Sequence, residues 1–189
     1  VCSVEGIKRV RLGSLEPDHI SDEMLERFKM QEKFCPQFHL SLQSGCDRTL
    51  KRMNRHYTTR EYRQSVEMLR EAFGRPAITT DVIVGFPGET EEEFEETRKF
   101  LEKINLYEMH IFKYSIRKGT IAAKMPNQVS DVVKAERSDI LLEMEEKLSR
   151  EYREIYIGQE VAVLFEEEKE ILGESYQIGH TSQYVKVAY

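Results

Sequence analysis

The apolar run from Ile78 to Val84 stops at Gly85-Phe86-Pro87-Gly88 and passes directly into the acid-rich start of a helix. A buried strand, a tight glycine turn and a helix in succession form the repeating unit of parallel α/β folds. Residues 38–55 repeat this form, with a short strand, a Ser-Gly turn and a basic helix. Further strands are predicted at 7–13, 37–43, 77–84 and 107–114, and helices at about 21–33, 46–54, 59–73, 91–104 and 130–156. Two helix starts have a capping-box spacing, Thr58 with Glu61 and Thr90 with Glu93. Pro17 ends the first strand, because the residue before a proline is held out of helical geometry. After about residue 157 the pattern changes to short alternating strands (VAVLF, SYQIG, YVKVAY) broken by Gly158, Gly173 and Gly179. That switch predicts two domains, 1–156 built from βα units and 157–189 a small all-β module.

Composition narrows the class. The chain has 189 residues, 40% hydrophobic and 33% charged, enough for one good core plus a small appendage. No apolar run approaches the roughly 20 residues needed to span a bilayer, so a membrane is not expected as a partner and the cytoplasm is the expected compartment. The three cysteines, Cys2, Cys35 and Cys46, are odd in number and unevenly spaced, which argues against a disulfide framework. The net charge of −6 argues against bulk binding of nucleic acid. Charge is nevertheless uneven: residues 47–75 hold eight Lys/Arg against four acids, and residues 151–189 hold three against eight.

Four segments, RVRLGSLEP (9–17), FHLSLQSGCDRTLKRMNR (38–55), TDVIVGFPGETEEEF (80–94) and HIFKYSIRKGTIAAKM (110–125), resemble the radical S-adenosylmethionine methylthiotransferases. The resemblance is strongest to the branch that acts on threonylcarbamoyladenosine beside the anticodon of tRNA. It implies a partial (β/α) TIM-like barrel of the radical S-adenosylmethionine type, followed by a truncated RNA-gripping β module of the TRAM kind. It also implies S-adenosylmethionine as cofactor, two 4Fe-4S clusters in the full-length enzyme, a reductant such as flavodoxin, and the anticodon stem-loop of tRNA as partner. The family holds its barrel cluster with C-x-x-x-C-x-x-C, and this sequence contains no such spacing. The expectation is therefore a carboxyl-terminal fragment that lacks the first barrel strands and is inactive alone. Relatives that modify isopentenyl-adenosine or a ribosomal-protein aspartate are alternative branches, and a non-catalytic module that binds RNA or protein is the alternative of another class.

On this resemblance the cofactor-binding candidates lie at successive strand ends. Ser14 and Glu16 are placed to meet the methionyl amine or the ribose, or Glu16 merely ties down the turn before Pro17. Gln43 and Ser44 stand at the mouth of the next strand. Arg55 either forks onto a carboxylate or is a solvated helix-end charge. Asp81 interrupts an apolar strand, so its carboxylate needs a ligand or a basic neighbour such as Arg55. Val84, Gly85 and Phe86 offer backbone groups and close approach to the adenine, and Tyr114 lines the site or packs under a loop. Arg48, Lys51 and Arg52 form a basic helix face that either meets RNA phosphates or is simply solvated. No residue is expected to act catalytically in this chain. His39, His56 and His110 lack an i, i+4 ligand spacing and read as structural rather than metal-binding, Cys46 reads as a small packed residue, and Glu166–Glu168 as a solvated hairpin.

Overall fold

A computed structural model describes all 189 residues. Four parallel strands form one sheet in the order β1-β2-β3-β4: β1 (Ser14–Leu15), β2 (Gln37–Leu40), β3 (Ala77–Val84) and β4 (Glu108–Lys113). Between and after them run α1 (Asp22–Lys29), α2 (Asp47–Arg52), α3 (Thr59–Phe73), α4 (Glu91–Ile104) and α5 (Asp131–Glu154). A three-stranded antiparallel sheet follows, β5 (Leu164–Ile171), β6 (Glu174–His180) and β7 (Lys186–Ala188). The α/β class and the closing β unit are those predicted.

Strand geometry sends alternate side chains to opposite faces. Phe38 and Leu40 of β2, Ile78, Val82 and Val84 of β3, and Met109 of β4 face the helices and join a core of 19 buried residues. Tyr62, Val66 and Leu69 of α3, and Phe94, Leu101 and Ile104 of α4, close that core from the other side. Both predicted capping boxes are present, each with a side-chain bond in both directions. The other face of the sheet carries Gln37, His39, Thr79, Asp81 and His110 and borders two cavities.

Some elements differ from the sequence reading. The strand expected at 7–13 is reduced to one bridge, Val10 with Phe34, and regular pairing begins at Ser14. Alternation alone predicted it, but Arg9 and Arg11 are drawn to the small sheet instead. Helix α1 stops at Lys29 rather than Lys33. Gly179 does not interrupt a strand; it sits inside β6, where a Cβ would collide with the Leu164 carbonyl of β5. Glu166–Glu168 lie exposed on β5 of the β5–β6 hairpin, as read, and the chain reverses at Leu172-Gly173, both at positive φ.

Strand β2 also ends sooner than the predicted 43, and the reason bears on the site. Gln37–His39 pair with Ala77–Thr79 at a constant offset, but Gln43 bridges Val82, so one extra residue has been accommodated. Gln43 absorbs it with φ +70°, in the left-handed region that L-residues rarely occupy. Three buried hydroxyls satisfy the backbone groups this bulge releases. Thr80 Oγ1 donates to the Leu40 carbonyl at 2.6 Å and accepts from Leu42 N–H at 3.1 Å. Tyr62 donates to Leu40 O at 3.1 Å and Tyr57 to Leu42 O at 3.0 Å. A buried backbone group without a partner costs about as much as a lost hydrogen bond, so these side chains hold the strand end in its kinked form.

Candidate cofactor-binding site

The bulge turns Gln43 toward the carboxyl ends of β3 and β4. There, Gln43, Asp81, Ile83, Phe86, Phe112 and Tyr114 help to line an open cavity of about 550 Å³. Its remaining wall is the loop after β4, with Lys113, Ser115, Arg117, Thr120 and Ala122. The size falls within the roughly 300–1,000 Å³ of small-molecule sites, and the apolar lining with a few polar groups is typical of them. Phe86 packs edge-on against Tyr114, with ring centroids 5.3 Å apart. The Tyr114 hydroxyl is buried and has no hydrogen-bond partner in the protein, which leaves one donor and acceptor for a ligand.

The loop Gly85-Phe86-Pro87-Gly88 forms the rim and is fixed from behind. Gly85 N–H donates to Glu89 Oε1 at 3.0 Å. Glu89 is buried and receives Arg137 Nη1 of α5 at 2.7 Å, while Arg137 Nη2 reaches Glu91 at 3.0 Å. Burial pushes the Glu89 carboxyl up, against the opposing pull of Gly85 N–H and Arg137. Gly85 has φ +73°, and a Cβ there would strike the Lys134 side chain. Its necessity therefore lies in backbone geometry and packing on α5, rather than only in access for a flat base. Glu89, Lys134 and Arg137 were missed by sequence reading, since on a heavily charged helix two basic residues look like surface.

The predicted residues divide into groups. Gln43, Asp81, Phe86 and Tyr114 meet around the cavity. Ser14 lines a second cavity of about 370 Å³ at the amino-terminal end of the same face, with His39 and His110. Arg55 does not pair with Asp81; its Nη1 donates to Glu16 Oε1 at 3.1 Å, beyond the bulge. Asp81 instead has His39 Nε2 at 3.4 Å. Ser44 is 1% exposed, and its hydroxyl is engaged by Thr97 Oγ1 at 3.1 Å and Cys46 N–H at 3.3 Å, so it turns away from the cavity. Val84 points into the core and its carbonyl accepts Tyr114 N–H, which occupies the backbone group it was expected to offer.

The basic helix face is likewise committed. Arg52 forks onto the buried Glu93, and Arg48 bonds Glu96 at 2.8 Å, so α2 is tied to α4 rather than free for phosphate. Burial alone would raise Glu93, but the Arg52 bonds and Thr90 N–H outweigh it and hold the carboxyl below its ordinary value. Lys51 alone of the three expected residues is exposed and outside any ion pair. For an iron–sulfur cluster the cysteines do not fit: Cys35 and Cys46 are buried, and Cys46 Sγ donates to Glu96 at 2.9 Å.

A parallel sheet with polar groups gathered toward its strand ends defines a class, and comparison identifies it. The model of the radical S-adenosylmethionine (radical SAM) superfamily matches residues 4–101, and the chain belongs to that superfamily. It is 41% identical over 187 residues to the threonylcarbamoyladenosine tRNA methylthiotransferase MtaB of Bacillus subtilis, covering 98% of this chain and 42% of that protein. It is 44% identical over 166 residues to the tRNA-2-methylthio-N(6)-dimethylallyladenosine synthase of Caldicellulosiruptor saccharolyticus, covering 88% of this chain and 35% of the other. The chain thus spans less than half the length of these relatives. Among solved structures, coproporphyrinogen III oxidase of Escherichia coli superposes with a TM-score of 0.59 at 20% identity, over 75% of this chain and 32% of that one, which is a likeness of fold.

Proposed function

We propose that the chain is the S-adenosylmethionine-binding part of a tRNA methylthiotransferase, acting at C2 of threonylcarbamoyladenosine next to the anticodon. The observation that carries this reading is the meeting of Gln43, Asp81, Phe86 and Tyr114, from three strand ends, around one cavity. When bound, S-adenosylmethionine with its cluster supplies the radical chemistry. The chain's own residues bind and orient: Asp81 attracts the amine or the ribose hydroxyls, Gln43 offers donor and acceptor, Phe86 and Tyr114 together present one apolar wall, and Gly85 lets the rim loop turn. Cluster ligation falls to residues outside this chain, because Cys35 and Cys46 are buried, Cys46 Sγ is engaged by Glu96, and Cys2 alone is left. Residues 157–189 act as a TRAM-like unit that holds the RNA. They pack near Tyr107, where β4 begins, so an RNA touching both this unit and the cavity spans roughly the length of β3, about 25 Å at 3.3 Å per residue.

The threonylcarbamoyladenosine branch is favoured because the MtaB match runs through 98% of the chain, whereas the dimethylallyladenosine match covers 88%. Nucleoside analysis of tRNA from cells lacking the gene tests the assignment. Loss of the 2-methylthio form of threonylcarbamoyladenosine, restored by the wild-type gene and not by Gln43→Ala with Asp81→Asn, is the expected result. Loss of the dimethylallyl derivative instead would move the protein to the second branch, and no change in either would end the tRNA reading.

A further inference from the structure

Strands β2, β3 and β4 bring together one group of side chains that the cofactor cavity accounts for only through Asp81. His39 on β2, Asp81 on β3 and His110 on β4 each present one donor atom, and all three donors lie within 4.8 Å of one another. The register makes this happen: Asp81 is directly opposite His110, and His39 is opposite Thr79, one position below on the same face. The separation in sequence hid the set, since strand pairing rather than a helical i, i+4 spacing creates it.

We propose that His39, Asp81 and His110 form a binding site for one divalent first-row transition ion, of the class that zinc represents. Two imidazoles and one carboxylate suit such ions, and the same set with open positions recurs in catalytic sites. Bond lengths of about 2.0–2.1 Å place tetrahedral donors about 3.3–3.4 Å apart. His39 Nε2 and Asp81 Oδ2 already stand at 3.4 Å, and the His110 donor lies within 4.8 Å of both. His39 is also oriented from outside. Its Nδ1 lies 3.0 Å from Thr79 Oγ1, which leaves Nε2 directed at Asp81. A partner on the second ring nitrogen is the usual support of a ligating histidine. The His39 and His110 rings lie at 23° to each other with centroids 5.9 Å apart, so neither blocks the space between the donors.

Exposure fits an open site rather than a closed structural one. The His39 and Asp81 side chains are 16% and 31% exposed, and His110 is exposed. The group divides the open face, with Asp81 on the upper cavity and both histidines on the lower. An ion here would keep free coordination positions for water or a ligand oxygen.

Titrating the untagged 189-residue chain with Co²⁺, in the absence of S-adenosylmethionine, tests the site by visible absorption and calorimetry. One equivalent should bind and give the d–d bands of a four- or five-coordinate centre, and Zn²⁺ should displace it. His110→Ala should weaken binding by at least about tenfold, the scale at which even supporting residues act. His110 is exposed, so this variant should retain the wild-type circular dichroism, and His39→Gln gives a second reading. Unchanged affinity in both variants, or no saturable binding by the wild type, would overturn the proposal. Neither result touches the tRNA assignment, which is read from nucleosides.

Discussion

Thr80 has no exposed surface, and its hydroxyl bonds two backbone groups on either side of a strand bulge. Replacing it with valine keeps the shape and removes both bonds. The Leu40 carbonyl retains Tyr62, but Leu42 N–H is left without its partner, and such a buried donor costs about 1–3 kcal/mol. Thr80→Val should therefore lower the unfolding free energy measured in urea by that amount and, by relaxing Gln43 from φ +70°, weaken nucleotide binding as well. A variant of wild-type stability would mean that the bulge holds itself. Gly85 gives a second case in which two costs can be separated. Gly85→Ala suffers both a φ of +73° and a collision with Lys134. Loss of stability of about 1–3 kcal/mol is expected from the backbone alone. The double variant with Lys134→Ala should recover the collision and leave the conformational part, which a double-mutant cycle measures. Equal losses with and without Lys134 would remove packing from the explanation.

At the level of elements, the rim loop depends on an ion pair that joins it to α5. The Arg137 and Glu89 side chains are 6% and 3% exposed, so removing one partner strands a buried charge. Arg137→Met should cost about 3–5 kcal/mol. Glu89→Gln should cost less, because an amide oxygen can still accept Gly85 N–H. If the order were reversed in chemical denaturation, the pair would not be what holds the loop. The Glu95–Arg98 pair on α4 behaves differently, since it is only half-buried. Forked bonds from Arg98 hold Glu95 down at about 2, from an ordinary 4.5. A depressed carboxyl stabilises the fold above its unfolded value and loses that contribution as pH falls toward its folded one. Stability should thus decline from pH 4.5 toward 2, and Arg98→Ala should flatten that limb. Glu89, raised by burial, acts in the other window: its contribution is full below 4.5 and fades as pH climbs through its folded value. These elements were legible to different degrees. Both capping boxes and the β3 turn could be read because their signals are local in sequence. The β2 bulge, the Glu89–Arg137 link and the His39–Asp81–His110 set could not, because strand register and helix packing create them from distant residues.

For the whole molecule, the decisive contact is the one between the two sheets. The pattern shift near residue 157 suggested two units; pairing is parallel through β4 and antiparallel from β5, which begins at Leu164. What periodicity could not show is the mounting. Arg9, expected within a strand, donates to the carbonyls of His180 and Ala162. The Arg11 guanidinium lies 3.7 Å from the centre of the Tyr184 ring, and Tyr184 in turn stacks on His180 at 4.1 Å. A small apolar cluster, Ala77, Tyr107 and Val185, with Tyr152 and Tyr156 against it, completes the joint. Hydrogen bonds from a charged donor contribute about 1.5–3 kcal/mol and a cation–π contact about 0.5–2. The two arginines therefore contribute to the joint alongside the three-residue cluster. Arg9→Ala with Arg11→Ala should loosen the small sheet and leave the large one folded. Hydrogen exchange would show this as faster exchange across residues 174–188 with unchanged protection in β2 and β3. Uniform acceleration throughout the chain would instead mean that the two sheets unfold as one unit, and that the amino-terminal arginines stabilise the core itself rather than the position of the sheet.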